Sequence, residues 1–187
     1  MANLTRYYMY KEIEKALKKP MKGRILGISG INRFRHMIDL QKSKIVDVKY
    51  PKVDMQKLPY KTGSFDYVIS DQVIEHLADP FLAISESRRV LKKNGIAIHT
   101  TCFINPIHFG PSDYWRFSSD ALKILCKPFS KIVQTGSWGN WPSVLICLIG
   151  KKLRFAEVPE TRFSTFNMLA SFNQSKFPIV TWIIAQK

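Results

Sequence analysis

Phe65-Asp-Tyr-Val-Ile-Ser70 constrains this chain more than any other stretch. It is short, rich in β-branched and aromatic residues, and alternates little between apolar and polar, which is the pattern of a strand buried on both faces. Such a strand needs a covering layer on each side, and the neighbouring sequence supplies candidates. Lys61-Thr-Gly-Ser64 before it is turn chemistry. Asp79-Pro80 after it offers a carboxylate N-cap and a proline at the first helical position, Phe81, Ile84, Val90 and Leu91 give that helix an apolar face, and Asn94-Gly95 is read as its end. Ile96–Thr101 is a further β-rich run.

The same alternation runs through the rest of the chain. Leu4 to Lys19 reads as an amphipathic leading helix stopped by Pro20 and Gly23, and Arg24–Ser29 as a buried strand. The spacing then predicts a helix over Arg33–Leu40 and a short strand over Lys44–Val48. Ser118 or Ser119 caps a helix to about Lys127, one more helix is expected near Pro142–Leu153, and Lys131–Thr135 and Pro178–Ala185 are strand candidates. Strands alternating with helices imply an α/β fold with a largely parallel sheet covered on both faces. With 187 residues, one domain over 1–187 is expected, comprising the leading helix (1–22), a loop over 105–117 and an insertion over 138–177 before the last strand.

The formal net charge is +15, a field that attracts polyanions, acidic headgroups or anionic small molecules without selecting among them; a solvated basic surface accounts for it equally. Clusters occur at Lys18–Lys19–Lys22–Arg24, Arg88–Arg89–Lys92–Lys93 and Lys151–Lys152–Arg154. Cys102, Cys126 and Cys147 are odd in number and lack the paired spacing of a zinc site or disulfide framework, so they read as reduced, buried thiols. The charged N-terminus lacks the apolar core of a secretory signal, and WPSVLICLIG falls far short of the roughly 18 residues a transmembrane helix needs. A cytoplasmic location is the expectation.

Leu58 to Thr101, LPYKTGSFDYVISDQVIEHLADPFLAISESRRVLKKNGIAIHTT, resembles the middle of the class I methyltransferases that use S-adenosylmethionine. It carries an "LPF"-like element, an "S-F-D-x-V" strand, an "E-H-L-x-D-P" turn into a helix, and "R-V-L-K-x-G-G" leading to the next strand, in the family's order and spacing. The resemblance implies a Rossmann-like three-layer sandwich, mostly parallel, with an antiparallel strand near the C-terminus. In such sheets the ligand lies at the carboxyl ends of the strands. By resemblance, Asp47 is the ribose-binding carboxylate, Asp54 and Met55 read and cover the adenine, and Ser70, Asp71 and Gln72 wall the methionine part. For Asp47 and Asp54 a surface carboxylate or helix cap is the competing reading. The glycine-rich turn departs from the family's acid-x-Gly-x-Gly-x-Gly pattern: Gly27-Ile28-Ser29-Gly30-Ile31 puts Gly27 in the acidic position and Ile31 where a glycine is expected, leaving Gly27, Ser29 and Gly30 as the backbone contacts.

Ile104 to Phe117 resembles the "H-x-x-P-x-D-Y-x-R-F" loop of a methyltransferase subgroup often associated with glycan and cell-surface biosynthesis. His108 is the candidate base, Asp113 and Arg116 the accompanying polar groups, although a backbone-bonded histidine and an Arg116–Asp113 structural pair fit equally. Glu75-His76 suggests acid/base chemistry or a metal-ligand pair, but adjacent residues on a short helix point in different directions, so a structural turn is the stronger reading and no metal site is expected. Trp138, Trp141 and Trp182, with Lys151 and Lys152, form either an aromatic lip or core packing. The expected function is methyl transfer from S-adenosylmethionine to an oxygen or nitrogen of a small or carbohydrate-linked acceptor, an anionic one being one option. A non-catalytic binding protein, or a methyltransferase acting on nucleic acid, are the alternatives.

Overall fold

A computed structural model describes residues 3–150, 153–159, 161 and 164–187. Six strands form one sheet: β1 (Met21–Ile28), β2 (Ile38–Val48), β3 (Phe65–Asp71), β4 (Leu91–Cys102), β5 (Lys131–Trp138) and β6 (Val180–Gln186), in the order β2-β1-β3-β4-β6-β5. The β1–β2, β1–β3 and β3–β4 pairs are parallel, whereas β6 runs antiparallel to both β4 and β5. This is the mostly parallel, Rossmann-like α/β sheet expected, with its antiparallel strand at the C-terminal end.

Alternation along the central strands divides the core in two. Ile25, Ile69, Ile98 and Ile184 face α1 (Tyr7–Leu17), α4 (Trp141–Ile149) and α5 (Thr165–Ser171), whose Met9, Ile13, Cys147 and Ala170 share that cluster. Leu26, Val68, Ala97 and Ile183 point the other way, onto Ala83 and Ile84 of α2 (Pro80–Val90) and Leu122 and Leu125 of α3 (Ser119–Leu125). Period two in each strand therefore builds three layers. Asp79 caps α2 by accepting from the Leu82 amide at 2.9 Å, and Ser118 caps α3 by accepting from the Ala121 amide at 3.2 Å.

Several elements depart from the sequence expectation. The helix expected over Arg33–Leu40 is a single 3-10 turn, Asn32–Met37, and β2 begins at once with Ile38. Helix α2 ends at Val90 instead of Asn94, because β4 starts at Leu91; Asn94, with φ 64°, sits in a register shift between β3 and β4. The 138–177 region holds α4 and also α5, which had no sequence signal. Trp138 and Trp182 are core residues, while Trp141 is exposed; Lys151 and Lys152 lie outside the described residues, as does the Arg154 side chain. All three cysteines are buried and none is in a disulfide. Among the described residues, no helix is long and apolar enough to cross a membrane.

Candidate active site

A cleft of about 380 Å³ opens at the carboxyl ends of β1 and β3, bordered by Ser29, Asp54, Met55, Gln72, His76 and Tyr114. Ser29 (φ 66°) and Gly30 (φ 106°) turn the chain sharply in consecutive left-handed conformations, and the Ser29 amide donates to the Val48 carbonyl at 2.8 Å, tying the ends of β1 and β2 together. A Cβ built on Gly30 meets nothing within 4 Å, so this turn leaves open space. Gly27 is different. A Cβ there would lie 2.8 Å from Ile31 Cβ and 3.2 Å from Asp47 Oδ1. Buried Ile31 folds back over β1 and occupies the room that a side chain at 27 would need. The two departures from the glycine-rich pattern are thus one packing unit: an isoleucine at 31 requires a glycine at 27.

Asp47, next to last in β2, is an exposed carboxylate on an adjoining depression that shares Tyr50 and Val53 with the main cleft. Asp54 lies in the loop beyond β2, where its Oδ1 accepts from the Gln56 amide at 2.8 Å. That loop is fixed from α2. Glu86 accepts from the Leu58 amide at 2.9 Å, Arg89 pairs with Glu86 at 2.5 Å and donates to the Tyr60 and Leu58 carbonyls, and Gln56 Oε1 accepts from the Asp79 amide at 2.8 Å. Met55 is buried in the cleft wall.

The three residues at the end of β3 have different surroundings. Ser70 is fully buried and its Oγ lies 2.7 Å from His99 Nδ1, within the core rather than on the cleft. Asp71 has both oxygens engaged, by the Tyr10 hydroxyl at 2.6 Å and the Thr100 hydroxyl at 2.7 Å, which fastens α1 to the sheet; burial beside this carboxylate pushes the Tyr10 phenol far above its ordinary value. Gln72, with φ 58°, turns outward and lines both the cleft and a second chamber of about 140 Å³. Arg6, Cys102, Asn105, His108 and Phe155 are among that chamber's other walls.

The 105–117 loop roofs both spaces. Gly110, Pro111, Ser112 and Tyr114 border the cleft, Asn105 and His108 the chamber. The loop is clamped to the turn after β3: the Tyr114 and Trp115 amides donate to the Glu75 carbonyl, Trp115 Nε1 donates to the Leu77 carbonyl at 2.8 Å, and the His76 ring bonds the Ser112 carbonyl. Arg116 grips both oxygens of Asp113 and also donates to the carbonyls of Trp115 and Asn105. That pairing holds the Asp113 carboxyl far below its ordinary value. Arg116 and Asp113 are spent on shaping the loop and border neither space. His108 Nδ1 lies 3.1 Å from Asp113 Oδ2, and burial lowers its pKa, with Asp113 opposing. His108 is therefore a neutral imidazole on the chamber wall near neutrality.

Arg6 and Cys102 carry no functional reading in the sequence, and for Glu75 the structural turn is preferred there to an acid/base or metal-ligand role. Arg6, from the segment leading into α1, brings a cation to the chamber. Glu75, read as part of a turn, is fully buried, and desolvation raises its pKa. Cys102, read as an inert thiol, ends β4 on the chamber wall, where burial pushes it up to about 12.

Residues 12–99 match the family profile described as a methyltransferase domain. Among curated proteins, the chain is 35% identical over 96 residues to 2-methyl-6-phytyl-1,4-hydroquinone methyltransferase 1 of Oryza sativa subsp. japonica, covering 49% of this chain and 27% of that one. It is 35% identical over 85 residues to the ubiquinone/menaquinone biosynthesis C-methyltransferase of Campylobacter jejuni, covering 46% and 35%. The chain thus matches only about a third or less of the length of these relatives. Phosphoethanolamine N-methyltransferase 2 of Haemonchus contortus, solved with S-adenosyl-L-methionine, superposes with a TM-score of 0.61 at 18% identity, over 98% of this chain and 56% of that one. A methyltransferase of Aquifex aeolicus gives 0.55 at 11% identity, over 95% and 88%. Residues 12–99 thus carry the sequence pattern of the methyltransferase domain, and nearly the whole length carries the fold of solved methyltransferases.

Proposed function

We propose that the chain binds S-adenosylmethionine in the larger cleft and methylates an oxygen or nitrogen of a small or carbohydrate-linked acceptor held in the second chamber. The observation that carries this reading is the position of Gln72, which borders both spaces: two ligands, one in each, meet across it. The cleft suits the cofactor because the Ser29–Gly30 turn leaves open space against the backbone and Met55 forms an apolar wall beside Asp54. Asp47 and Asp54 would hold the ribose and adenine, and the backbone at Ser29 and Gly30 the amino-acid end, without the acidic residue that Gly27 replaces. What the bound cofactor supplies is an electrophilic methyl group.

The chain's own part is placement and proton removal. Arg6 offers a charge for an anionic acceptor, and His108 accepts the proton of an acceptor hydroxyl or ammonium. Calorimetric titration with S-adenosylmethionine tests the cofactor half. Asp54→Ala is expected to weaken binding tenfold or more, since a hydrogen bond to a charged group contributes about 1.5–3 kcal/mol. No heat from the wild type, or unchanged affinity in the variant, would overturn it. The Ile31–Gly27 packing favours a second reading, a chain that binds the cofactor without turnover, which saturable binding with no methyl transfer to any acceptor in a broad panel would support.

A further inference from the structure

We propose that Glu75, Cys102 and His108 form a binding site for a zinc-class divalent cation at the floor of the second chamber. One donor atom from each lies within 4.8 Å of the others. The set is mixed, one carboxylate, one thiol and one imidazole, which is the chemistry of a three-ligand zinc site with a fourth position left open. Cys102 and His108 line the chamber, so the open position faces the space assigned above to the acceptor.

The surroundings of each donor argue for a cation more strongly than the clustering does. Glu75 is fully buried, its Oε2 accepts from the Thr101 hydroxyl at 2.8 Å, and its Oε1 has no hydrogen-bond partner. A buried polar oxygen left unpaired is costly and needs an occupant. His108 Nδ1 lies 3.1 Å from Asp113 Oδ2 and 3.0 Å from Asn105 Nδ2, while Nε2 has no partner among the described residues. With the Asn105 amide turned so that its oxygen faces the ring, a proton on Nδ1 is shared with Asp113 and leaves the Nε2 lone pair free, the carboxylate–histidine support that orients imidazole toward a metal. Asp113 is in turn fixed by Arg116, so the clamp on the loop also aims the ligand. Each oriented donor therefore has one supporting partner and one vacant lone pair. Closing on an ion requires the donors to approach one another to roughly 3.5 Å, a contraction of about 1 Å that side-chain rotation supplies. With an ion bound, Nε2 is a ligand rather than a proton acceptor. The inference concerns the acceptor chamber but does not depend on the methyl-transfer reading, because it is tested without cofactor or acceptor.

Cobalt(II) titration of the purified chain provides the test, since a thiolate ligand gives a charge-transfer band in the near ultraviolet and tetrahedral geometry an intense visible band. The expected result is one equivalent bound, displaced by zinc(II), with zinc absorption spectroscopy showing a single sulfur neighbour. Cys102→Ser should abolish the charge-transfer band and Glu75→Gln should weaken binding at least 100-fold, whereas Cys126→Ser and Cys147→Ser leave both unchanged. Circular dichroism checks each variant, and should Cys102→Ser fail to fold, the wild-type spectra and Glu75→Gln still decide. No thiolate band at stoichiometric cobalt, a second sulfur neighbour, or unaltered binding by Glu75→Gln would overturn the proposal and leave Glu75 a carboxyl kept neutral by burial.

Discussion

At position 27 a missing carboxylate and a missing glycine turn out to be one steric fact. Because Ile31 Cβ fills the space above Gly27, even a methyl group there must displace a buried side chain. Gly27→Ala is expected to cost about 1–3 kcal/mol through overpacking, read from denaturant unfolding. Ile31→Ala should itself destabilise by emptying core volume, but the double variant should lose clearly less than the sum, since the two side chains compete for one space. Strict additivity would show that the 27–31 packing is not what excludes a side chain. Arg116 gives a second residue-scale expectation. Arg116 covers the Asp113 carboxylate, which keeps the His108 amide as a second donor, so Arg116→Ala removes charge-assisted hydrogen bonds and should destabilise by about 1–3 kcal/mol. Asp113 titrates below its unfolded value, so the stability it contributes is present above the unfolded pKa of about 3.9 and disappears as pH falls toward its folded value.

Elements that carry a strong apolar signature were legible, and those that do not were not. The strand centres at Arg24–Ser29, Phe65–Ser70 and Ile96–Thr101 fall inside β1, β3 and β4 because burial on both faces leaves an unbroken apolar run. Lys44–Val48 was legible as a strand and is the second half of β2, but β2 is an edge strand whose Gln41-Lys-Ser-Lys44 stretch is largely solvent-facing, so its first half could not be told from the end of a polar helix. The candidate site shows the same division. Asp47, Asp54 and Gln72 follow strands and were placed by order along the chain. Glu75, Cys102 and His108 come from a turn, a strand end and a loop, and the β3–β4 pairing together with the clamp of the loop on the Glu75 carbonyl brings them together. One contact between elements carries a pH expectation. His99 of β4 is fully buried between Ser70 of β3 and Ser87 of α2, and burial lowers its pKa to about 3. The unfolded chain takes up a proton near pH 6.5 that the folded chain refuses, so between those values stability falls as pH falls, by on the order of 1 kcal/mol per unit. His99→Gln should flatten that slope between pH 6.5 and 4, and the difference from wild type isolates it from Glu75, whose raised pKa acts in the opposite sense. An unchanged slope would place the acid sensitivity elsewhere.

Considered whole, the molecule is tied together by its first and last elements. The Tyr7 hydroxyl of α1 accepts from Asn167 Nδ2 of α5 at 3.1 Å, and Asn3 bridges to Glu157, so the start of the described chain rests on segments more than 150 residues away. β6 comes last in sequence yet lies between β4 and β5. Ending the chain after residue 179 would therefore leave the edge of β4 open and β5 without a partner. Such a truncation is expected to lose cooperative unfolding and to be cleaved readily by protease at concentrations the full chain resists; a truncated form that melts in one sharp transition would contradict this. The placement of β6 also sets a schedule for synthesis. While residues 180–186 remain inside the ribosome, β4 offers an unsatisfied hydrogen-bonding edge to any neighbouring chain, and the Trp182 and Ile184 side chains that complete the core on the α1 side are still missing. The nascent chain cannot finish folding from its N-terminus as it emerges, so its exposure to aggregation lasts until residues 180–186 are free to pair, when one short strand closes the sheet.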